Sequence, residues 1–164
     1  MQNFKNYTDY MTSPLGVIKI EASKYGITGI EFTSQKKVPS LGCRITEHCI
    51  IELAEYFSGR RKIFSLPLDY KGTDFQNSIW SALQDIVFSE TISYGTVARM
   101  AGKPAAIRAA GTALKKNPIA IIVPCHRVIG KNGALTGYSG GLERKSWLLA
   151  HENYYKSQLS LGNS

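Results

Sequence analysis

Cysteine is scarce in this sequence, long apolar runs are missing, and acidic residues are thin in one third of the chain. Each shortage excludes something. The three cysteines, Cys43, Cys49 and Cys125, are an odd number without framework spacing. That excludes a disulfide scaffold and fits a reducing, cytoplasmic setting. The longest apolar run, residues 119–123, stops at Pro124, far short of the roughly 20 residues that cross a bilayer, so no membrane role is expected. The opening MQNFKNYTDY alternates polar and aromatic residues and lacks the apolar stretch of a secretory signal. What is present, 43% hydrophobic and 20% charged residues in 164, is ordinary globular composition, enough for one domain or two small ones.

The net charge of +8 is concentrated. Residues 1–90 hold ten Lys/Arg and ten Asp/Glu, and residues 146–164 hold Lys156 against Glu152. Residues 91–145 hold Arg99, Lys103, Arg108, Lys115, Lys116, Arg127, Lys131, Arg144 and Lys145 against Glu143 alone. Charge gathered in this way is the footprint of a polyanion partner, nucleic acid first, with a solvated basic face as the bland alternative.

The period of the apolar pattern divides the chain. Residues 7–12, 17–22 and 27–33 are short, β-branched and aromatic, and Ser13-Pro14-Leu15-Gly16 and Lys24-Tyr25-Gly26 separate them as turns. From Ile45 the spacing becomes helical through Cys49, Leu53 and Tyr56, ending before Gly59, and Arg60-Arg61-Lys62 reads as a solvated loop. A boundary falls near Lys71-Gly72. Thr73 and Gln76 form a capping-box pattern ahead of a stripe at Phe75, Ile79, Leu83 and Ile86. Two short helices, 96–101 and 105–116, are separated by Gly102-Lys103-Pro104, a pair that suits a helix-turn-helix. Residues 119–123 read as a buried strand. Asn132-Gly133 between 127–129 and 134–136 signals a hairpin, the wing of a winged-helix module. A helix over 142–153 closes the chain. The expected architecture is α+β: an N-terminal strand-and-helix domain over 1–72, a winged-helix domain over 73–157, and a disordered tail over 158–164.

Pro124-Cys125-His126-Arg127-Val128 places a cysteine beside a histidine at the end of a buried run, inside the basic third. A free thiol is only ~3% thiolate at pH 7, and the thiolate is the nucleophile. Arg127 and a histidine partner are expected to lower the thiol pKa and raise the reactive fraction by up to roughly thirtyfold. On an extended strand Cys125 and His126 would face opposite ways, leaving a water-bridged relay rather than a direct dyad. The competing readings are a structural buried cysteine, a winged-helix transcription regulator, and a cysteine hydrolase with turnover. Cys43 and Cys49 lie six apart, about 120° around a helix, with no fourth ligand beyond His48, so no metal is expected.

The run SYGTVARMAGKPAAIRAAGTALKKNPIAIIVPCHRVIGKNGALTGYSGGLERKSWLLAHE closely resembles the O(6)-alkylguanine-DNA alkyltransferases, and the likeness extends upstream through Thr73-Asp74-Phe75-Gln76 and Trp80. PCHRV combined with YSGG and RAxG…NP makes it specific over about half the chain. The resemblance implies a ribonuclease H-like first domain. It also implies a suicidal repair protein that takes the alkyl group from O(6) of guanine, and from O(4) of thymine, onto its own cysteine in a single turnover without a cofactor. Its partner would be double-stranded DNA carrying O(6)-alkylguanine, met by a monomer in the cytoplasm, with nuclear access in a eukaryote. Carried over, the catalytic set is Cys125 as acceptor, His126 as base through a water, Glu152 orienting His126, and Tyr94 pressing on the 3′ phosphate and donating to N3 of the flipped guanine. The DNA-binding set is Arg108 as the finger, with Tyr94, Ala109, Thr112 and Lys115. The pocket and hinge set is Val128, Tyr138, Ser139, Asn117 and Lys145. Members that bind without repairing carry Trp at the acceptor position; Cys125 is retained here. The chain departs from many members at Val87-Phe88-Ser89-Glu90, before the SYG motif.

Overall fold

The computed structural model describes residues 6–35 and 39–161. They form two compact units, one running to Lys71 and taking in Pro118–Ala120, the other made of Gly72–Asn117 and the chain from Ile121 onward.

In the first unit β1 (Tyr7–Ser13), β2 (Gly16–Ala22) and β3 (Ile27–Thr33) make an antiparallel meander. The tight β1–β2 turn requires a left-handed residue, and Gly16 supplies it at φ 109°. Alternation along β2 buries Ile18, Ile20 and Ala22 on one face, where Ile27, Ile30 and, from helix α1 (Arg44–Phe57), Cys49, Leu53 and Tyr56 complete the core. Ile30 on β3 donates its N–H to Pro118 (2.9 Å) and accepts from the Ala120 N–H (3.1 Å), so this returning segment adds a parallel bridge to the sheet. Arg61, expected in a solvated triplet, is instead half-buried and paired with Glu55 at 2.7 Å and with buried Glu52 at 3.5 Å.

The second unit begins with α2 (Asp74–Leu83), whose capping box forms as the spacing implies: Thr73 accepts from the Gln76 N–H (3.1 Å) and Gln76 accepts from the Thr73 N–H (3.0 Å). Trp80 on α2 donates its indole N–H to the Ala113 carbonyl (2.9 Å). That bond ties α2 to the later of the helix pair, α3 (Tyr94–Met100) and α4 (Ile107–Lys115). Gly102, at φ 74°, makes the break between them, and its N–H closes on Arg99.

Three expectations are corrected here. Residues 119–123 are buried but not a strand: only Ile119 bridges, and the chain then turns, with Ile121 at φ 70°. Apolarity reported burial and said nothing about extension. The Asn132-Gly133 turn forms, with both residues at positive φ and the Gly130 N–H bonded to the Ala134 carbonyl (2.8 Å), but no antiparallel hairpin follows. Instead β5 (Val128–Ile129) pairs in parallel with β4 (Ile92–Ser93), a non-local partner that turn chemistry cannot reveal. Finally, α5 (Leu142–Leu161) continues through residues 154–161, so the start of the expected tail is helical; residues 162–164 lie outside the described residues.

Candidate active site and nucleic-acid face

Pro124, at φ −83° and ψ 64°, sits at the centre of an inverse γ-turn closed by the Cys125 N–H on the Val123 carbonyl (2.8 Å). A 3-10 turn over Cys125–Arg127 follows directly. At three residues per turn, consecutive side chains leave about 120° apart, so the opposite-faces geometry expected of a strand does not apply. The three side chains fan in three directions, and all are buried.

Cys125 meets Asn117, whose side-chain amide donates to Sγ at 3.2 Å and to the Val123 carbonyl at 2.8 Å. Asn117 follows the end of α4, so one amide links the end of that helix to the cysteine turn. Burial pushes the Cys125 thiol pKa up. The Asn117 amide, the Lys145 charge and the backbone N–H groups of Cys125 and His126 pull it down without prevailing. The expected lowering by Arg127 is therefore corrected: its guanidinium is engaged elsewhere, and the resting sulfur is a thiol.

His126 is fully buried, and burial pushes its pKa down. Glu152 opposes that shift, while Arg127 and Lys145 add to it, so the imidazole is neutral at pH 7. Its Nε2 lies 2.7 Å from Glu152 Oε1, and its Nδ1 is buried without a hydrogen-bond partner among the described residues. Burial alone would raise the Glu152 carboxyl; the hydrogen bonds and charges of His126 and Arg127 overturn this and hold it well below the usual carboxylate range. A carboxylate beside Nε2 fixes that nitrogen as the donor. Arg127 reaches Glu152 through Nε (2.9 Å to Oε2) and Nη2 (2.9 Å to Oε1), and donates through Nη1 to the Ile86 carbonyl (2.6 Å). The Ser89 N–H adds a bond to Glu152 Oε2 at 3.0 Å.

Around this centre the other expected residues fall into two groups. Lys145 is buried on α5, its ammonium donating to the Val128 carbonyl (2.6 Å) and the Thr136 carbonyl (2.9 Å). Burial lowers its pKa, and the Cys125 charge works against that. Tyr138 is buried with its hydroxyl unpartnered among the described residues; burial first, then the Cys125 charge, push its pKa up. Ser139 is exposed in the loop that follows. Tyr94, at the start of α3, donates its hydroxyl to the Thr136 carbonyl at 2.9 Å, with the Thr136 hydroxyl at 3.0 Å. On α4, exposed Arg108, Ala109, Thr112 and Lys115 share one face, opposite buried Ala110, Ala113 and Leu114. Gly111 faces the Tyr94 ring, and a Cβ there would sit at ordinary contact distance, 3.8 Å, from it.

Sequence reasoning missed the grip of Arg127 on Glu152 and the part of Ser89. Nothing local could have found Ser89, which is 63 residues from Glu152. For Arg127, the signal was an arginine in an otherwise buried run, a residue that needs a charged partner inside the fold.

Residues 6–70 match the family described as 6-O-methylguanine DNA methyltransferase, ribonuclease-like domain, and residues 74–154 match the same family's DNA binding domain. The inducible methylated-DNA–protein-cysteine methyltransferase of Bacillus subtilis is 39% identical over 165 residues, spanning 96% of this chain and 91% of that protein. The methylated-DNA–protein-cysteine methyltransferase of Methanosarcina barkeri is 43% identical over 152 residues, spanning 89% and 96%. The crystal structure of the Mycobacterium tuberculosis O6-methylguanine methyltransferase superposes with a TM-score of 0.83 at 39% identity, covering 92% of this chain and 94% of that one. That of the M. tuberculosis OGT in complex with DNA gives 0.80 at 40%, covering 89% and 92%. With both domains matched across nearly its whole length, this chain belongs to the 6-O-methylguanine DNA methyltransferase family.

Proposed function

We propose that this chain repairs alkylated DNA by moving the alkyl group from O(6) of guanine, and from O(4) of thymine, onto Cys125, once per molecule. The observation that carries the reading is a buried thiol next to a neutral, carboxylate-anchored imidazole, in the same unit as an exposed basic helix. The target atom lies inside the duplex, so the base must be extruded at a cost of a few kcal/mol. Arg108, exposed near the start of α4, fills the vacated stack, and phosphate contacts from Lys115 hold the strand. The extruded base then lies between the Val128 backbone, Tyr138 and Ser139.

The resting thiol must lose its proton during the reaction. His126 Nδ1 takes it through one water, and Glu152 stabilises the imidazolium that forms. The sulfur lone pair attacks the alkyl carbon, the S–C bond forms as the C–O bond breaks, and the electron pair returns to the purine. The Tyr94 hydroxyl stabilises the departing guanine by donating to N3, an interaction stronger in the transition state than in the ground state. The purine leaves as an anion and takes a proton at N1 from water while the imidazolium gives its own back to water, so the products are a thioether on Cys125, guanine and a neutral His126. Every group named is on one chain, so a monomer in the cytoplasm suffices, and because the protein is itself the acceptor, no cofactor is called for.

The decisive experiment incubates the protein with excess duplex DNA carrying labelled O(6)-methylguanine and reads intact-protein mass. One added methyl, on Cys125 and absent from Cys43 and Cys49, is expected, with none in Cys125→Ser. Several turnovers per molecule, or full transfer in that variant, would sink the reading.

A further inference from the structure

Arg127 sits one residue past the base of the reaction and points away from the sulfur. Its guanidinium carries two short bonds to Glu152, one to each oxygen at 2.9 Å, and a third to the Ile86 carbonyl. The Phe88 ring lies 5.7 Å from the guanidinium carbon. Ser89 follows, and its backbone is left-handed at φ 67°, a conformation costly for a residue other than glycine. That turn is what brings its N–H to Glu152 Oε2. The segment that departs from the family pattern is thus the cradle for the arginine, and through it for the carboxylate.

A carboxylate bonded to an imidazole and to nothing else lends it a full negative charge and favours the imidazolium. Here the charge is shared with a cation held in bidentate contact. The charged groups facing His126 are Glu152 and Lys145 from α5, Arg127 from its own turn, and Cys125 next to it. With Arg127 in place the cations outnumber the carboxylate; without it they balance. An imidazolium at rest could not accept the thiol proton, so a reaction that begins from a buried thiol needs the neutral ring.

We propose that Arg127 is a positioning residue for the alkyl transfer: gripping Glu152 together with the Ser89 N–H, it keeps His126 neutral and protonated at Nε2, with Nδ1 left as the base. This deepens the proposed function and rests on it for the identity of the reaction.

The test is 15N NMR of histidine-labelled protein without DNA, on wild type first. The expected result is an Nε2–H tautomer for His126 that is still neutral when the pH has fallen below the ordinary histidine value. An Nδ1–H tautomer, or an imidazolium at pH 7, overturns the proposal. In Arg127→Gln the His126 midpoint should rise by about one unit or more, and the acid limb of the single-turnover rate should rise with it. Arg127→Lys, which keeps the charge, should leave the midpoint near wild type. A role confined to packing predicts lost stability in both variants with the midpoint unmoved, and that result would overturn the charge argument. If Arg127→Gln does not fold, the wild-type tautomer and titration decide. Because the NMR readout involves no transfer, a protein that shows it but leaves Cys125 unmethylated would fail the proposed function and not this inference.

Discussion

At the scale of single residues, the groups around Cys125 are tuned by burial against a few well-aimed partners, which makes stability depend on pH in a stated direction. His126 has a folded pKa below its ordinary value, so the stability it contributes is present above about 6.5 and is lost as pH falls through the folded value. Glu152, also depressed, acts the same way from about 4.3 downward. Cys49 is opposite: burial first, then Glu52, push its thiol up to about 12, so its contribution is complete at neutral pH and is lost as pH climbs toward that value. Thermal unfolding across pH should show a plateau between about 6.5 and 8.5, falling on both sides. In Cys49→Ala the alkaline fall should soften while the acid limb stays; an alkaline limb unchanged in that variant would refute the assignment. Asn117 gives a second test at this scale. Asn117→Ala takes away one of the two donors to the Val123 carbonyl, a cost of about 1 kcal/mol, and removes a donor from the sulfur; the Cys125 N–H still satisfies that carbonyl. Asn117→Asp adds a carboxylate where thiolate must form. Single-turnover rates should fall in the order Asn, Ala, Asp, and equal rates for Ala and Asp would show that the sulfur contact carries no charge effect.

At the scale of elements, what could be read in the sequence was what local chemistry decides. The three strands of the first unit, the capping box at Thr73 and Gln76, and the Gly102-Lys103-Pro104 break all rest on residues a few positions apart, and all are present. What could not be read depends on partners far along the chain. β5 pairs with β4 rather than with its neighbour across the Asn-Gly turn, and residues 119–123 satisfy burial by turning. The cysteine turn shows how this reached the site. The sequence pointed to Cys125, His126 and Glu152 together, and His126 does meet Glu152, yet the strand expectation set the directions of Cys125 and His126 wrongly and left Arg127 pointed at the sulfur. For α4, the exposed face predicts a division of labour: Arg108→Ala should slow repair of methylated duplex DNA by far more than it slows reaction with free O(6)-benzylguanine, because the residue lies outside the Cys125 cluster. Equal losses on both substrates would place Arg108 in support of the pocket instead.

At the scale of the whole molecule, the basic third of the sequence separates into two populations that composition could not distinguish. Arg127 and Lys145 are buried and serve Glu152 and the Val128 and Thr136 carbonyls. Arg99, Lys103, Arg108, Lys115, Lys116 and Lys131 are exposed, while Arg144, between the two, is half-buried with its guanidinium on the Gly140 carbonyl. Only the second population can displace counterions from a phosphate backbone, so the two should separate in a salt titration. Each phosphate neutralised contributes about −0.9 to the slope of log affinity against log salt, and on the order of four to six contacts from the exposed set would give a slope of about −4 to −5. Lys115→Ala and Lys116→Ala should each make that slope shallower by about one, with weakening nearly uniform across DNA sequences. Arg127→Lys should leave the slope unchanged, since its charge never reaches solvent. Fluorescence anisotropy on unmodified duplexes of unrelated sequence, from about 50 to 200 mM salt, measures all of this directly. A slope near zero, or a strong preference for one undamaged sequence, would count against a protein that grips backbone and tests bases for extrusion. Either would favour one that reads an operator.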